Sequence, residues 1–282
     1  MFSKKRLVIF ISKHSIDTGF VSLGDESSFE GGEAFSYTKE TLADVLRKIQ
    51  TMTKQKIRIV LSEELVYVSV LSFPKGTMIT REFIQGKIQE IIPEDLKQTE
   101  WDFQTLSYKE SEKEEFTLVQ GTVIEKTFSE NFRLALDESP LSIESIIPES
   151  YALACLEKGR GGVFVIIEKD REMTVFSAIE NGHSLISYMK KTALLPQDLK
   201  TFLDFLASHK EKKAERLIFS HFEESELVPF QQLFHEEYDI ESKDYNPLIG
   251  AGLQEKISGK DEAILNITFS PSSEKKVWWK IW

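Results

Sequence analysis

Apolar positions fall into short runs of period two or continuous hydrophobicity, alternating with stretches at helical spacing. Leu7–Ile11 (LVIFI), a polar break and then Asp17–Leu23 predict a β-hairpin. Leu42, Val45, Leu46 and Ile49 predict a helix over Thr38–Thr51 with Thr38 as its N-cap. Lys56–Leu61 and Leu65–Leu71 read as strands, the second ended by Pro74. Phe83, Ile84, Ile88 and Ile91 share one side of a helix over Arg81–Ile91, which Pro93 stops. Trp101–Tyr108 and Phe116–Ile124 alternate with period two, and the charged run Glu110–Glu115 between them reads as a solvated hairpin tip. A helix over Lys126–Leu136, a strand over Ser142–Ile146 and a helix after Pro148 complete this half.

Gly159-Arg-Gly-Gly162, directly before a strongly apolar strand, marks a joint. Beyond the joint the opening pattern recurs. Val163–Ile167, a polar break over Glu168–Glu172 and Met173–Ile179 form one hairpin, and Asn181-Gly182 turns the chain into Ser184–Tyr188. Helices over Pro196–Ser208, Glu224–Phe234 and Pro247–Ile257 then alternate with strands over Arg216–Ser220, Tyr238–Glu241 and Ala263–Thr268. Two halves that each pass from β-hairpins to alternating helices and strands predict a duplicated α/β fold with two lobes around a cleft. The expected division is 1–158 for the first lobe, with an inserted α+β subdomain at about 75–125, 159–268 for the second, and 269–282 for a linker and tail.

Composition narrows the function. The 282 residues suffice for two domains, and 41% hydrophobic against 29% charged residues can fill a core in each. A formal net charge of −11 repels a phosphate backbone, so nucleic acid is not an expected partner. The lone Cys155 lies in an apolar run and has no nearby histidine to make it a nucleophile, and one thiol forms no intrachain disulfide. His221 and His235, each followed by carboxylates, flank a helix too long for both to reach one metal, so no metal is predicted. No GxSxG, HExxH, Walker-type or CxxC motif occurs.

Three stretches carry a family resemblance: Ile91–Leu96 followed by Trp101-Asp-Phe103, Ile146–Leu153, and Asn246–Leu253. In this order they resemble the actin-like PilM proteins of type IV pilus assembly and the cytoplasmic part of the L-type platform protein of type II secretion. The resemblance spans roughly residues 5 to 268 and implies an actin-like, ribonuclease H-like fold. It also implies three nucleotide-gripping elements, and each departs from the family's pattern here. In the first hairpin Phe10 stands where a magnesium-organising carboxylate is expected and Ser12 where a glycine is, leaving Lys13 and Ser15 as the remaining phosphate-binding groups. In the second hairpin Glu168 is retained, but Asp170 replaces the glycine beside Arg171 and Glu172, and an acidic turn repels phosphates. After Ser220, His221 and Phe222 replace a glycine pair.

These departures disfavour ATP and magnesium as cofactors and imply a non-catalytic scaffold. The resemblance implies a cytoplasmic position at the inner membrane, a PilN-like bitopic platform protein as partner, bound through a short segment in a groove of the first lobe, and a pilus motor ATPase as a further contact. A divergent actin-like ATPase or phosphotransferase is the alternative. Three of the four tryptophans fall in the last five residues, so Lys275, Lys276, Trp278, Trp279 and Trp282 read as a membrane-proximal tail, or as one that docks on the protein itself.

Overall fold

The structure, a computed structural model, describes residues 5–22, 28–92, 95–106, 116–139, 141–157, 159–170, 173–190, 194–210 and 212–257. The chain opens with an antiparallel meander of β1 (Lys5–Ile11), β2 (Ser15–Ser22) and β3 (Ser28–Ser36). Helix α1 (Leu42–Met52) leads to β4 (Ile57–Leu61), which lies parallel to β1. A 3₁₀ turn (Glu63–Leu65) then feeds β5 (Val66–Pro74), α2 (Arg81–Gln89), β6 (Trp101–Leu106) and β7 (Phe116–Ile124). These strands make a separate three-stranded sheet in the order β5–β7–β6. Helix α3 (Lys126–Glu138) returns to β8 (Ile143–Pro148), closing a five-stranded sheet of order β3–β2–β1–β4–β8, and α4 (Glu149–Leu156) leaves it.

The second half repeats the first. Strands β9 (Val163–Asp170), β10 (Met173–Glu180) and β11 (His183–Lys190) form the meander, and α5 (Pro196–Lys210) leads to β12 (Arg216–Ser220), parallel to β9. Then come α6 (Glu224–Phe234), β13 (Asp239–Ser242) and α7 (Pro247–Ile257), giving the order β11–β10–β9–β12–β13. Numbered within each half with the inserted strands β5–β7 left out, both five-stranded orders read 3-2-1-4-5, with hairpins on one side of the first strand and parallel crossovers on the other. Asn181 and Gly182, with φ of 52° and 78°, take the left-handed pair that a tight β10–β11 hairpin needs.

Burial explains why β1 and β9 are apolar without alternation: both faces of each are covered. Leu7, Ile9 and Ile11 pack with Leu46 of α1 and Phe132 of α3, while Val8 and Phe10 meet Tyr151 of α4 and Leu248 of α7. In the second half Val165 and Ile167 face α5 and α6, and Phe164 and Ile166 face Leu153 and Ala154 of α4. Helix α4 is buried nearly all round because it is sandwiched in this way. Helix α7, built by the second half, packs on the first half's sheet and crosses α4 so closely that a Cβ on Gly250 would lie 1.9 Å from the Ala152 carbonyl oxygen. Arg58 of β4, 2% exposed, locks that contact by donating to the carbonyls of Ala251 (2.7 Å) and Gly252 (3.1 Å) and to Glu144 (3.2 Å).

Several sequence expectations are corrected. Thr41 caps α1, and Thr38 opens the preceding turn, its carbonyl accepting from Thr41 and Leu42 N–H. Strand β3 is absent from the sequence reading, because SFEGGEAFS is an exposed edge strand held by backbone pairing. The third sheet starts at Val66, since β5 pairs with β7 over its whole length. Strand β9 continues through Glu168 to Asp170, paired with Val175 and Met173, so these two acids belong to a ladder and not to a turn. The charged tip Glu110–Glu115, the strand over Ala263–Thr268 and the tail fall outside the described residues. No helix among the described residues is long and apolar enough to cross a membrane.

Candidate functional site

The carboxyl ends of β1, β9 and β12 converge with the N-termini of α4 and α7 on a cleft of about 320 Å³. Crevices at strand carboxyl ends are where α/β sheets bind ligands, and this one is at the small end of the usual range. Its walls include Phe10, Asp17, Glu149, Glu168, His221 and Tyr245. Three carboxylates therefore border it. Lys169, the cation of the wall, pairs with Glu226 of α6, and that bond holds the Glu226 carboxyl below its ordinary range.

Four backbone donors near the cleft are bonded to side chains of the same chain. In the β1–β2 turn the Lys13 N–H donates to a Glu64 carboxylate oxygen at 2.5 Å. The Ser12 and Ser15 hydroxyls, both buried, lie 2.7 Å apart and bond each other, while the Tyr37 hydroxyl donates to the Ser12 carbonyl at 2.5 Å. Burial, with the Glu64 charge adding to it, pushes the Tyr37 phenol well above its ordinary pKa. At the start of α4 the Ser150 N–H donates to Glu63 (2.8 Å), and the Glu63 N–H donates to Glu149 (3.2 Å). At the start of α7 the Asn246 side-chain oxygen accepts from Leu248 N–H at 2.9 Å, with Pro247 pre-set at the first helical position. Helix N-termini and tight turns are the usual anion seats, and here side chains of the same chain fill them.

Glu63 also joins the two halves. The Ser187 hydroxyl of β11 donates to its second oxygen, and burial raises the Glu63 carboxyl above its ordinary range. On the far wall the Tyr245 hydroxyl donates to buried Glu157, and the Tyr245 N–H donates to the hydroxyl of Ser220, which has no exposure. His221 has φ 62°, the left-handed conformation that favours glycine, although it carries a Cβ. Its Nε2 lies 2.8 Å from the Tyr245 carbonyl and 3.9 Å from Glu168.

Of the residues singled out from sequence, the fold brings Phe10, Glu168 and His221 to the cleft wall. Ser12, Lys13 and Ser15 stay in the hairpin turn, and Ser220 lies beneath the wall as a support for Tyr245. The Asp170 side chain and the tail residues Lys275, Lys276, Trp278, Trp279 and Trp282 fall outside the described residues. Sequence reasoning missed Asp17, Glu149, Tyr245 and the pair Glu63-Glu64. The only signal for them was the Asn-Pro start of α7 and the Pro-Glu start of α4.

A second concavity, about 450 Å³, lies in the first half between α3 and the third sheet. Arg81, Lys97, Trp101, Glu130 and Arg133 are among its walls.

No family model and no curated protein matches the sequence. Solved structures do match. One, a PilM–PilN type IV pilus biogenesis complex, superposes with a TM-score of 0.62 at 14% identity, over 88% of this chain and 90% of that one. A Bacteroides thetaiotaomicron protein with an actin-like ATPase fold and unknown function gives 0.56 at 10% identity, over 89% and 96%. The fold is actin-like. The cytoplasmic domain of EpsL, an inner-membrane component of the Vibrio cholerae type II secretion system, shares it with a TM-score of 0.53 at 12% identity, over 92% and 97%. Within this actin-like fold His221 takes a left-handed backbone conformation while carrying a Cβ, and Phe10 and Glu168 border the same cleft.

Proposed function

We propose that this chain is a non-catalytic scaffold at the cytoplasmic face of an inner membrane, in a type IV pilus or type II secretion platform. Its partner on this reading is a short segment of a PilN-like bitopic protein, held in the groove between α3 and the third sheet. Likeness to the PilM–PilN complex over nearly the whole chain supports the assembly. The observation that carries the proposed loss of chemistry is the occupied set of donors: Glu64, Glu63 and Asn246 accept from N–H groups of the β1–β2 turn and of the starts of α4 and α7. Three bordering carboxylates add repulsion, and phosphoryl transfer depends on positioned donors and metal charge.

Two experiments test the reading. Calorimetry with the cytoplasmic segment of the PilN-like protein should show saturable binding, and its absence would remove the main support. Thermal unfolding with ATP and magnesium should show no shift; a ligand at 100 times its Kd stabilises by about 2.7 kcal/mol, so a magnesium-dependent rise would favour the ATPase alternative instead. The tail, through Lys275, Lys276, Trp278, Trp279 and Trp282, completes the proposal as a membrane-surface contact, and liposome flotation with and without it reads that directly. A pilus motor ATPase is the further contact this position would allow.

A further inference from the structure

The groove between α3 and the segment leading into the third sheet carries a small excess of cations. Three cations, Arg81, Lys97 and Arg133, face two carboxylates, Glu100 and Glu130, in a chain whose formal net charge is −11. Arg81 is spent on its own wall: its guanidinium lies 4.2 Å over the Trp101 ring, donating to Asp102 (3.0 Å) and to the Trp101 carbonyl (2.8 Å). Lys97 and Arg133 differ. Among the described residues neither side chain makes a hydrogen bond or ion pair, although Glu130 lies one turn before Arg133 on α3.

The loop that carries Lys97 is held in shape. Asp95 accepts from the Lys97 N–H (3.0 Å) and from Gln98 (3.1 Å). Gln98 in turn accepts from Lys126 of α3 (2.7 Å), and the Thr99 hydroxyl donates to the Ile124 carbonyl (2.7 Å). A half-buried guanidinium on α3 and an exposed ammonium on this hydrogen-bonded loop, neither with a partner among the described residues, form a site whose backbone the fold already holds in place. Guanidinium and carboxylate match in planar geometry, and the resulting charge-assisted bonds are among the stronger ones available.

We infer that this groove reads a carboxylate, so that the segment docking there carries an Asp or Glu seated between Lys97 and Arg133. This rests on the proposed scaffold reading and specifies its partner's chemistry. A basic segment would meet the two cations head on, whereas an acidic one complements them.

The test uses the full chain and overlapping peptides that tile the cytoplasmic segment of the PilN-like protein from the same genome. Each peptide is made in its native form and with Asp and Glu replaced by Asn and Gln. The native tile that binds should contain an acid and lose about tenfold in affinity when that acid is neutralised. Arg133→Glu should weaken the native tile and restore binding to a tile whose acid is changed to Lys. Lys97→Gln, on an exposed loop position, repeats the measurement without risk to folding. Equal binding of native and neutralised tiles, or indifference to both substitutions, overturns the carboxylate site while segment binding itself stands. Failure of every tile to bind removes the scaffold reading and this inference with it.

Discussion

Replacing Gly250 by alanine probes the seam between the halves most directly. The added Cβ would sit 1.9 Å from the Ala152 carbonyl oxygen, 2.7 Å from its carbon and 3.4 Å from its Cα. All three neighbours are backbone, so no side chain can swing aside, and α4 and α7 must separate by more than ~1 Å to restore contact distances. Overpacking of this kind costs ~1–3 kcal/mol or more, against a gain of ~1 kcal/mol from better helix propensity. A backbone clash belongs at the upper end of that range, so the net loss should be about 2 kcal/mol, a large share of a typical domain's stability. Gly86 of α2 is the control, since a Cβ there meets nothing within 4 Å. Gly86→Ala should gain ~0.5–1 kcal/mol. Urea unfolding followed by circular dichroism reads both midpoints. If the Gly250 variant unfolds at or above the wild-type midpoint, the close crossing of α4 and α7 is wrong.

The other predictions concern buried charge and backbone strain. Arg58→Met takes one of two partners from Glu144, which keeps Arg6 at 3.5 Å, and removes donors from the Ala251 and Gly252 carbonyls, so it should cost ~2–3 kcal/mol in the same assay, and a loss under ~1 kcal/mol would contradict the buried tie. Glu63 has a folded pKa raised by burial, so its contribution to stability is present below the unfolded carboxylate value of ~4.3 and is lost as pH rises through the folded one. Glu63→Gln should therefore flatten the fall in stability with rising pH across that window, whereas parallel curves for the two proteins would exclude it. At His221, both glycine and alanine lose the imidazole bond to Tyr245, but only glycine accepts φ 62° without strain. His221→Gly should be more stable than His221→Ala by ~1 kcal/mol, and equal midpoints would deny the left-handed conformation.

How much of this could be read beforehand depended on where each signal resides. Elements with local start and stop chemistry were legible: the helices over Pro247–Ile257 and Glu224–Phe234 and the Asn-Gly turn after β10 all stand where the pattern put them. Strand β3 was not, because an exposed edge strand is specified by its neighbour's backbone and carries two glycines and no alternation. At the cleft, Phe10 stood out only as a departure from a family pattern, and His221 as such a departure and as a discarded metal candidate. Glu63 and Glu64 carried no reading in the sequence, and nothing local distinguishes a carboxylate that accepts from a helix start 87 residues away or bonds a turn 51 residues away. Such roles are decided by which elements the duplicated topology brings together.

That topology also bears on the proposed loss of chemistry. Each sheet is covered on its inner face by a helix shared with, or built by, the other half: α4 lies against both, and α7 crosses back onto the first. The bonds of Arg58 to α7 and of Ser187 to Glu63 tie the same seam from two sides, and β11 packs on β5 beyond it. Opening the cleft would therefore strain a close helix crossing, a buried guanidinium and a buried carboxylate together. A nucleotide cycle needs walls that move between two states of similar energy, which these ties oppose. A scaffold needs the reverse, a surface whose shape does not depend on what fills the cleft. On the proposed reading, the side chains that occupy donors around the cleft would serve that end, because they hold this arrangement without a ligand.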